Sequence, residues 1–234
     1  MNIVVSGATK GIGRAIADEF AARGFDVAVC ARREADLQEM QEVYAHKFPG
    51  CRLLVHPADL QKKEDAQAFA HTVLDQWEHV DVLVNNAGLF LPGAIHEEPD
   101  GRLEEMVQVN LFSAYYLTRA FLPAMLQQGR GHIFNMCSIA SLNAYPNGGS
   151  YSISKFALQG FSKNLREELK DKGIRVTSIH PGATWSASWA GAPFPEDRLM
   201  QAGDIAIAVW SAWSMSPAAV VEDIIVRPQL GDLP

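Results

Sequence analysis

Residues 2–24 read NIVVSGATKGIGRAIADEFAARG, and this stretch decides the fold. Asn2 to Ser6 is a short, unbroken apolar run, the pattern of a strand buried on both faces. The loop SGATKGIG follows, with Gly7, Gly11 and Gly13. Ile16, Phe20 and their apolar neighbours then recur at helical spacing, and Gly24 is placed to end the helix. Strand, glycine loop and helix, in that order, make the context of a dinucleotide site. Glycines let the backbone approach a pyrophosphate, and a helix N-terminus offers free N–H groups and a positive dipole end. The spacing is G-x-x-x-G-x-G rather than G-x-G-x-x-G, so a glycine turn without a ligand is the alternative reading.

The alternation continues downstream. Strands are expected at Phe25–Ala31, Cys51–His56, Asp81–Asn85, His132–Met136, Ile174–His180 and Glu222–Arg227. Helices are expected at Glu34–Lys47, Asp65–Glu78, Leu103–Gln127, Tyr151–Asp171 and Asp204–Met215. Strands separated by helices of this length predict an α/β protein with a parallel sheet covered on both faces. Asn110 stands inside the Leu103–Gln127 helix, where its amide competes for backbone groups, and it predicts a local bend. Leu89–Gly101 reads as loop, and Ala183–Met200, with two tryptophans and two prolines, as a loop or lid. No repeat or linker divides the chain, so one domain spanning residues 1–234 is expected.

Net charge is −7 without a basic run, which argues against nucleic acid as a partner. Cys30, Cys51 and Cys137 form no disulfide framework and no metal spacing, so reduced thiols and no metal are expected. No charged segment with a long apolar core opens the chain, and no apolar run is long enough to span a bilayer. A cytoplasmic protein is the expectation.

Two features carry chemistry. The second strand ends in Arg32 and Arg33 with no acidic residue beside them. In a dinucleotide fold that position faces the adenosine ribose, where arginine accommodates a 2′-phosphate. NADP(H) is therefore expected over NAD(H), with Lys10 as a further cation; two solvated arginines opening a helix are the alternative. The second feature is Tyr151-Ser-Ile-Ser-Lys155. Residues four apart share a helix face. A phenol with a pKa of about 10 becomes a usable acid or base only when an environment such as a nearby ammonium stabilises its phenolate.

Together the motifs resemble the short-chain dehydrogenase/reductase family over essentially the whole length. The matching pieces are SGATKGIG from Ser6, Asp59–Leu60, NNAG from Asn85, Asn110, Ser138, Tyr151 with Lys155, and Pro181–Gly182. The resemblance implies a Rossmann-type three-layer sandwich with a seven-stranded parallel sheet in order 3-2-1-4-5-6-7. It implies that Tyr151 is the general acid for reduction and the base for oxidation. Lys155 would bond the nicotinamide ribose and lower the tyrosine pKa. Ser138 would donate to the substrate carbonyl oxygen, and Asn110 would hold a water linking Lys155 to solvent. The backbone after Gly7, with Thr9, Gly11, Ile12 and Gly13, would carry the diphosphate. Asp59 and Leu60 would flank adenine, with Asn86, Ala87 and Gly88 against its ribose. Pro181, Gly182 and Thr184 would set the carboxamide, and Ser186 keeps a hydroxyl where the family often has threonine.

An apolar substrate pocket is expected from Phe90, Ala140, Leu142, Tyr145, Trp185 and Trp189, unless these aromatics only anchor their loop. Arg198 is the one cation near that loop available to grip a carboxylate, which disfavours a small anionic substrate. His132 is expected at the surface, and nothing in the pattern asks for His180. The resemblance further implies a homo-dimer or homo-tetramer. The activity expected is NADPH-dependent reduction of a small carbonyl, such as a 3-oxoacyl compound. A hydroxy-acid dehydrogenase, or a non-catalytic NADP(H)-sensing protein, is the alternative.

Overall fold

A computed structural model describes residues 1–185 and 195–232. Seven parallel strands form one sheet: β1 (Asn2–Ser6), β2 (Asp26–Ala31), β3 (Leu53–Pro57), β4 (Val82–Asn85), β5 (Gly131–Met136), β6 (Ile174–Pro181) and β7 (Asp223–Val226). Their order is β3-β2-β1-β4-β5-β6-β7. The order reverses between β1 and β4, paired through Val4↔Leu83, and a crevice at the carboxyl ends of the strands follows from that reversal.

Strand residues alternate between two cores. Ile3, Val5, Val27, Val29, Val82 and Val84 pack on one face, while Val4, Ala28, Cys30 and Leu83 pack on the other. The first face is covered by α1 (Gly11–Ala22), α2 (Glu34–Lys47) and α7 (Ala202–Trp213), through Phe20, Leu37 and Val209. The second is covered by α3 (Lys63–Leu74), α5 (Ser113–Gln128) and α6 (Gly149–Leu169), through Phe69, Phe121 and Leu165. The inner strands are thus apolar on both sides, which is why their sequences show no clean alternation.

Three expectations are corrected. The helix expected to run to Glu78 stops at Leu74, because the chain turns to bury Trp77, whose N–H returns to the Val73 carbonyl at 2.9 Å. The helix expected over Leu103–Gln127 is not a single α-helix: α4 (Arg102–Val107) runs without interruption into a π-helical turn, Gln108–Phe112, which holds Asn110, and on into α5. His132, expected at the surface, is fully buried, with Nε2 2.7 Å from Thr177 Oγ1; burial holds it well below the usual imidazole pKa.

Candidate active site

The glycine loop is closed by Asn86. Its Nδ2 donates to the carbonyls of Ser6 at 2.9 Å and Gly7 at 3.0 Å. Gly7 has φ +63°, and a Cβ there would lie 3.1 Å from Ala87 Cα. A Cβ at Gly13 would collide with Asn86 Nδ2 and lie 2.7 Å from the Gly7 carbonyl oxygen. Only glycine satisfies both positions, and the resulting cradle leaves backbone N–H groups at the start of α1.

A cleft of about 370 Å³ opens beside this loop. Its lining includes Gly7, Thr9, Lys10, Arg32, Arg33, Asp59, Leu60, Asn86, Ala87 and Gly88. Gly11, Ile12 and Gly13 lie beyond the lining, in the first turn of α1. Asp36, Gln61, Glu105 and Val109 also line the cleft and were not foreseen. Asp36 was within reach of sequence reasoning, standing three residues after Arg33 on a helix. Its carboxylate accepts from Arg33 Nε at 2.8 Å and lies 3.9 Å from Lys10 Nζ. The Arg33 hydrogen bond holds Asp36 below the usual carboxylate range. Arg32 makes no ion pair among the described residues. The cradle and the cationic corner fit a phosphorylated dinucleotide.

Ser138 stands just beyond the carboxyl end of β5 and caps a short 3₁₀ turn, Ile139–Ser141. Its Oγ accepts from Ala140 N–H at 3.1 Å, which leaves its own proton free to point elsewhere. Ala140 itself is buried at 1% exposure. Tyr151 lies in the first turn of α6, with its ring against Phe90 at 4.8 Å between centroids. Burial pushes the Tyr151 phenol up to about 12, and a hydrogen bond with Ser138 pulls the other way. Lys155 donates to the Met136 carbonyl at 2.7 Å, and its Nζ lies 5.8 Å from the Tyr151 ring centroid. Burial lowers Lys155 to about 8. The expected lowering of the tyrosine pKa by Lys155 is absent from this arrangement: the ammonium is turned to the Met136 carbonyl, and the Ser138 hydrogen bond is what opposes burial at the phenol.

Asn110 explains the π turn. Its Oδ1 accepts from Leu89 N–H at 2.7 Å, and its Nδ2 donates to Leu89 O at 3.0 Å and Ser154 Oγ at 2.8 Å. One amide thus ties the loop after β4 to α6. Such a bulge often marks a functional site.

Pro181 ends β6, and Gly182 N–H donates to the Val226 carbonyl at 2.8 Å. Thr184 Oγ1 donates to the Gly182 carbonyl at 3.0 Å. The base of the expected substrate loop is pinned by Trp185 N–H to Met200 O at 2.8 Å and Met200 N–H to Ala183 O at 3.1 Å. Ser186 and Trp189 lie outside the described residues. Phe90 and Tyr145 are part-exposed near Tyr151, and Leu142 follows the Ser138 turn. The Arg198 guanidinium is turned to the C-terminal tail: its Nη2 donates to the carbonyls of Gly231 at 3.0 Å and Asp232 at 3.1 Å.

A nucleotide cradle that ends beside a proton-bearing phenol is what a dinucleotide-dependent oxidoreductase requires. The chain belongs to the short-chain dehydrogenase family, whose model matches residues 1–193. It is 31% identical to the sepiapterin reductase of Chlorobaculum tepidum, covering 99% of this chain and 97% of that one. It is 32% identical to an NADP-dependent 3-hydroxy acid dehydrogenase of Salmonella typhi, covering 90% and 88%. A metagenomic short-chain oxidoreductase solved in complex with NADP superposes with a TM-score of 0.83 at 32% identity, covering 97% of each chain. No described helix is long and apolar enough to cross a membrane.

Proposed function

We propose that this protein is an NADPH-dependent carbonyl reductase for a small, neutral, apolar substrate, a 3-oxoacyl thioester among the candidates. The observation that carries the proposal is the shared corner of Ser138 and Tyr151, with Lys155 beside it, beyond the end of β5. Gly7, Thr9 and the α1 N-terminus would hold the diphosphate, and Arg32 and Arg33 the 2′-phosphate. Bound NADPH supplies the hydride.

The chain's own residues do the rest. The Ser138 hydroxyl donates to the substrate oxygen and orients it. The Tyr151 phenol, kept protonated by burial, gives its proton to the oxygen as negative charge develops there. Lys155, seated on the Met136 carbonyl, would hold the ribose hydroxyls of the bound nucleotide. Phe90 and Tyr145 exclude water from one side.

The charge pattern supports a neutral substrate over a hydroxy acid. Residues 186–194 read SASWAGAPF, without a charge, and Arg198 is engaged by the C-terminal tail. Exposed Phe112, Tyr115 and Phe156 on the segment around α5 and on α6 support a homo-dimer or homo-tetramer. In this reading the enzyme acts in the cytoplasm.

NADPH oxidation against a panel of neutral ketones, aldehydes and 3-oxoacyl thioesters tests the proposal, with NADP⁺ reduction by 3-hydroxy acids as the opposing arm. Turnover of neutral carbonyls is expected. Turnover confined to hydroxy acids overturns the substrate class, and NADPH binding without any turnover overturns the enzyme in favour of a sensor.

A further inference from the structure

His180 is the penultimate residue of β6, just before Pro181, and the reaction described above does not use it. The side chain is fully buried. Nδ1 lies 2.9 Å from Ser141 Oγ and 3.1 Å from the Ser138 carbonyl oxygen, while Nε2 lies 2.9 Å from Asp223 Oδ1. Ser141 in turn grips Ser138 twice: its hydroxyl donates to the Ser138 carbonyl and accepts from Ser138 N–H at 3.3 Å. Two hydrogen arrangements are compatible with these distances. Either both ring nitrogens carry hydrogen, Nδ1–H donating to the serine turn and Nε2–H to Asp223, or only Nε2–H does and the Ser141 hydroxyl turns from the Ser138 carbonyl to donate to Nδ1. Both tie the Ser138 turn to His180.

The network reaches the helix that carries the phenol. Asp223 Oδ1 also accepts from Gln159 Nε2 at 2.9 Å. Gln159 sits on α6, on the face shared with Tyr151 and Lys155 by its spacing. Its Oε1 accepts from Cys137 Sγ at 3.5 Å, and Cys137 precedes Ser138. Burial works upward on the Asp223 carboxyl, and the bonds from His180 and Gln159 outweigh it, leaving it below the usual range. The circuit from Ser138 through Ser141, His180, Asp223 and Gln159 returns to Cys137. It joins the carboxyl ends of β5 and β6 and the first residue of β7 to α6.

Ser141, His180 and Asp223 have the order of a hydrolytic triad. However, Ser141 is only 2% exposed and its hydroxyl is enclosed between the Ser138 carbonyl and His180, so no acyl substrate reaches it. The array orients its neighbour.

We propose that His180, backed by Asp223, is a positioning residue that fixes the Ser138 hydroxyl in register with Tyr151. The proposal rests on the role given to Ser138 above, and the test separates the two. Asparagine at position 180 can replace the Nδ1 bond to the serine turn. Glutamine can replace only the Nε2 bond to Asp223. His180→Gln is expected to lower kcat about 10- to 100-fold while the Kd for NADPH stays within about threefold, and His180→Asn, which keeps the serine-turn bond and loses only the Asp223 backing, to lower kcat about three- to tenfold. In a Ser138→Ala background, His180→Gln should cost less than about threefold more, because its route is already cut.

A full kcat for His180→Gln, or an undiminished effect of it in the Ser138→Ala background, overturns the proposal. A Ser138→Ala enzyme with normal kcat instead removes the role of Ser138 and the proposal with it. Should His180→Gln fail to fold, Asp223→Ala, at the exposed end of the network, is read in the same cycle. A kcat loss of about three- to tenfold that vanishes in the Ser138→Ala background is expected. A loss that persists there is contradictory.

Discussion

The Lys155 ammonium is seated on the Met136 carbonyl, donating across 2.7 Å, and that bond rather than the Tyr151 phenol fixes its position. The strand end of β5 therefore supports both proton-handling residues: Met136 receives the lysine, and Ser138, two residues on, meets the phenol. The two side chains respond oppositely to burial. Lys155 falls to about 8 and Tyr151 rises to about 12.

These values set the pH profile. Reduction needs a protonated phenol, which persists through neutrality, and a charged Lys155. kcat/KM for reduction is expected to be level below pH 7 and to fall as pH rises through about 8. Oxidation draws on the phenolate and is expected to rise with pH over the same range. A reduction profile that stays level to pH 10 contradicts the assignment. The same shift has a signed effect on stability. Lys155 in the unfolded chain keeps its proton up to about 10.5, whereas the folded chain releases it from about 8. Its burial cost is fully present below about 8 and is relieved as pH rises toward 10.5. Denaturant unfolding of Lys155→Met and the parent at pH 7 and 9.5 reads this directly. The parent should gain more stability over that interval than the variant.

Arg33 is paired with Asp36 across an exposed surface, with the arginine side chain 67% exposed. Water screens such an exposed pair and it holds the arginine only weakly, so a phosphate can recruit the guanidinium at small cost. Replacing Arg32 and Arg33 by alanine is expected to weaken NADPH binding about 10- to 100-fold and NADH binding less than about threefold. Asp36→Asn is expected to tighten NADPH binding by removing a carboxylate from the same corner. Isothermal titration with both nucleotides checks each variant, and equal losses for NADPH and NADH would exclude a 2′-phosphate contact.

α6 begins without a capping side chain of its own, and Glu98 supplies one from the loop after β4. Its carboxylate accepts from Ser150 N–H at 3.0 Å and from the Ser150 hydroxyl. The anion sits at the positive end of the helix dipole, one residue before Tyr151. Glu98→Ala is expected to cost about 1–2 kcal/mol, a fall in Tm of about 2–8 °C, together with reduced kcat. Gly149→Ala should be worse. Gly149 has φ +34°, and a Cβ there would collide with Glu98 and the Gly93 carbonyl. Thermal melts alongside steady-state kinetics check both; an unchanged Tm for Glu98→Ala would remove the capping role.

The sheet was legible because each strand is a short apolar run next to a helix with its own stripe, and Gly7 and Gly13 signal a close approach that the structure shows against Ala87 and Asn86. Asn110 announced a bend, although not that its amide would bind Leu89 and Ser154. What sequence could not give is contact across chain distance. The helical spacing of Tyr151 and Lys155 suggested one shared charge interaction, but the passing strand end offered Met136 as the nearer acceptor. His132 and His180 looked incidental, since Thr177 and Asp223 lie 45 and 43 residues away along the chain. Arg198 looked free because the tail that binds it comes 32–34 residues later.

Replacement of Tyr151 by phenylalanine tests the central claim most directly, because it removes one proton donor and leaves the Phe90 packing surface. NADPH oxidation in the presence of a turned-over carbonyl should fall at least about a thousandfold, with the Kd for NADPH within about threefold of the parent. A Tyr151→Phe enzyme that retains near-normal turnover would contradict the account.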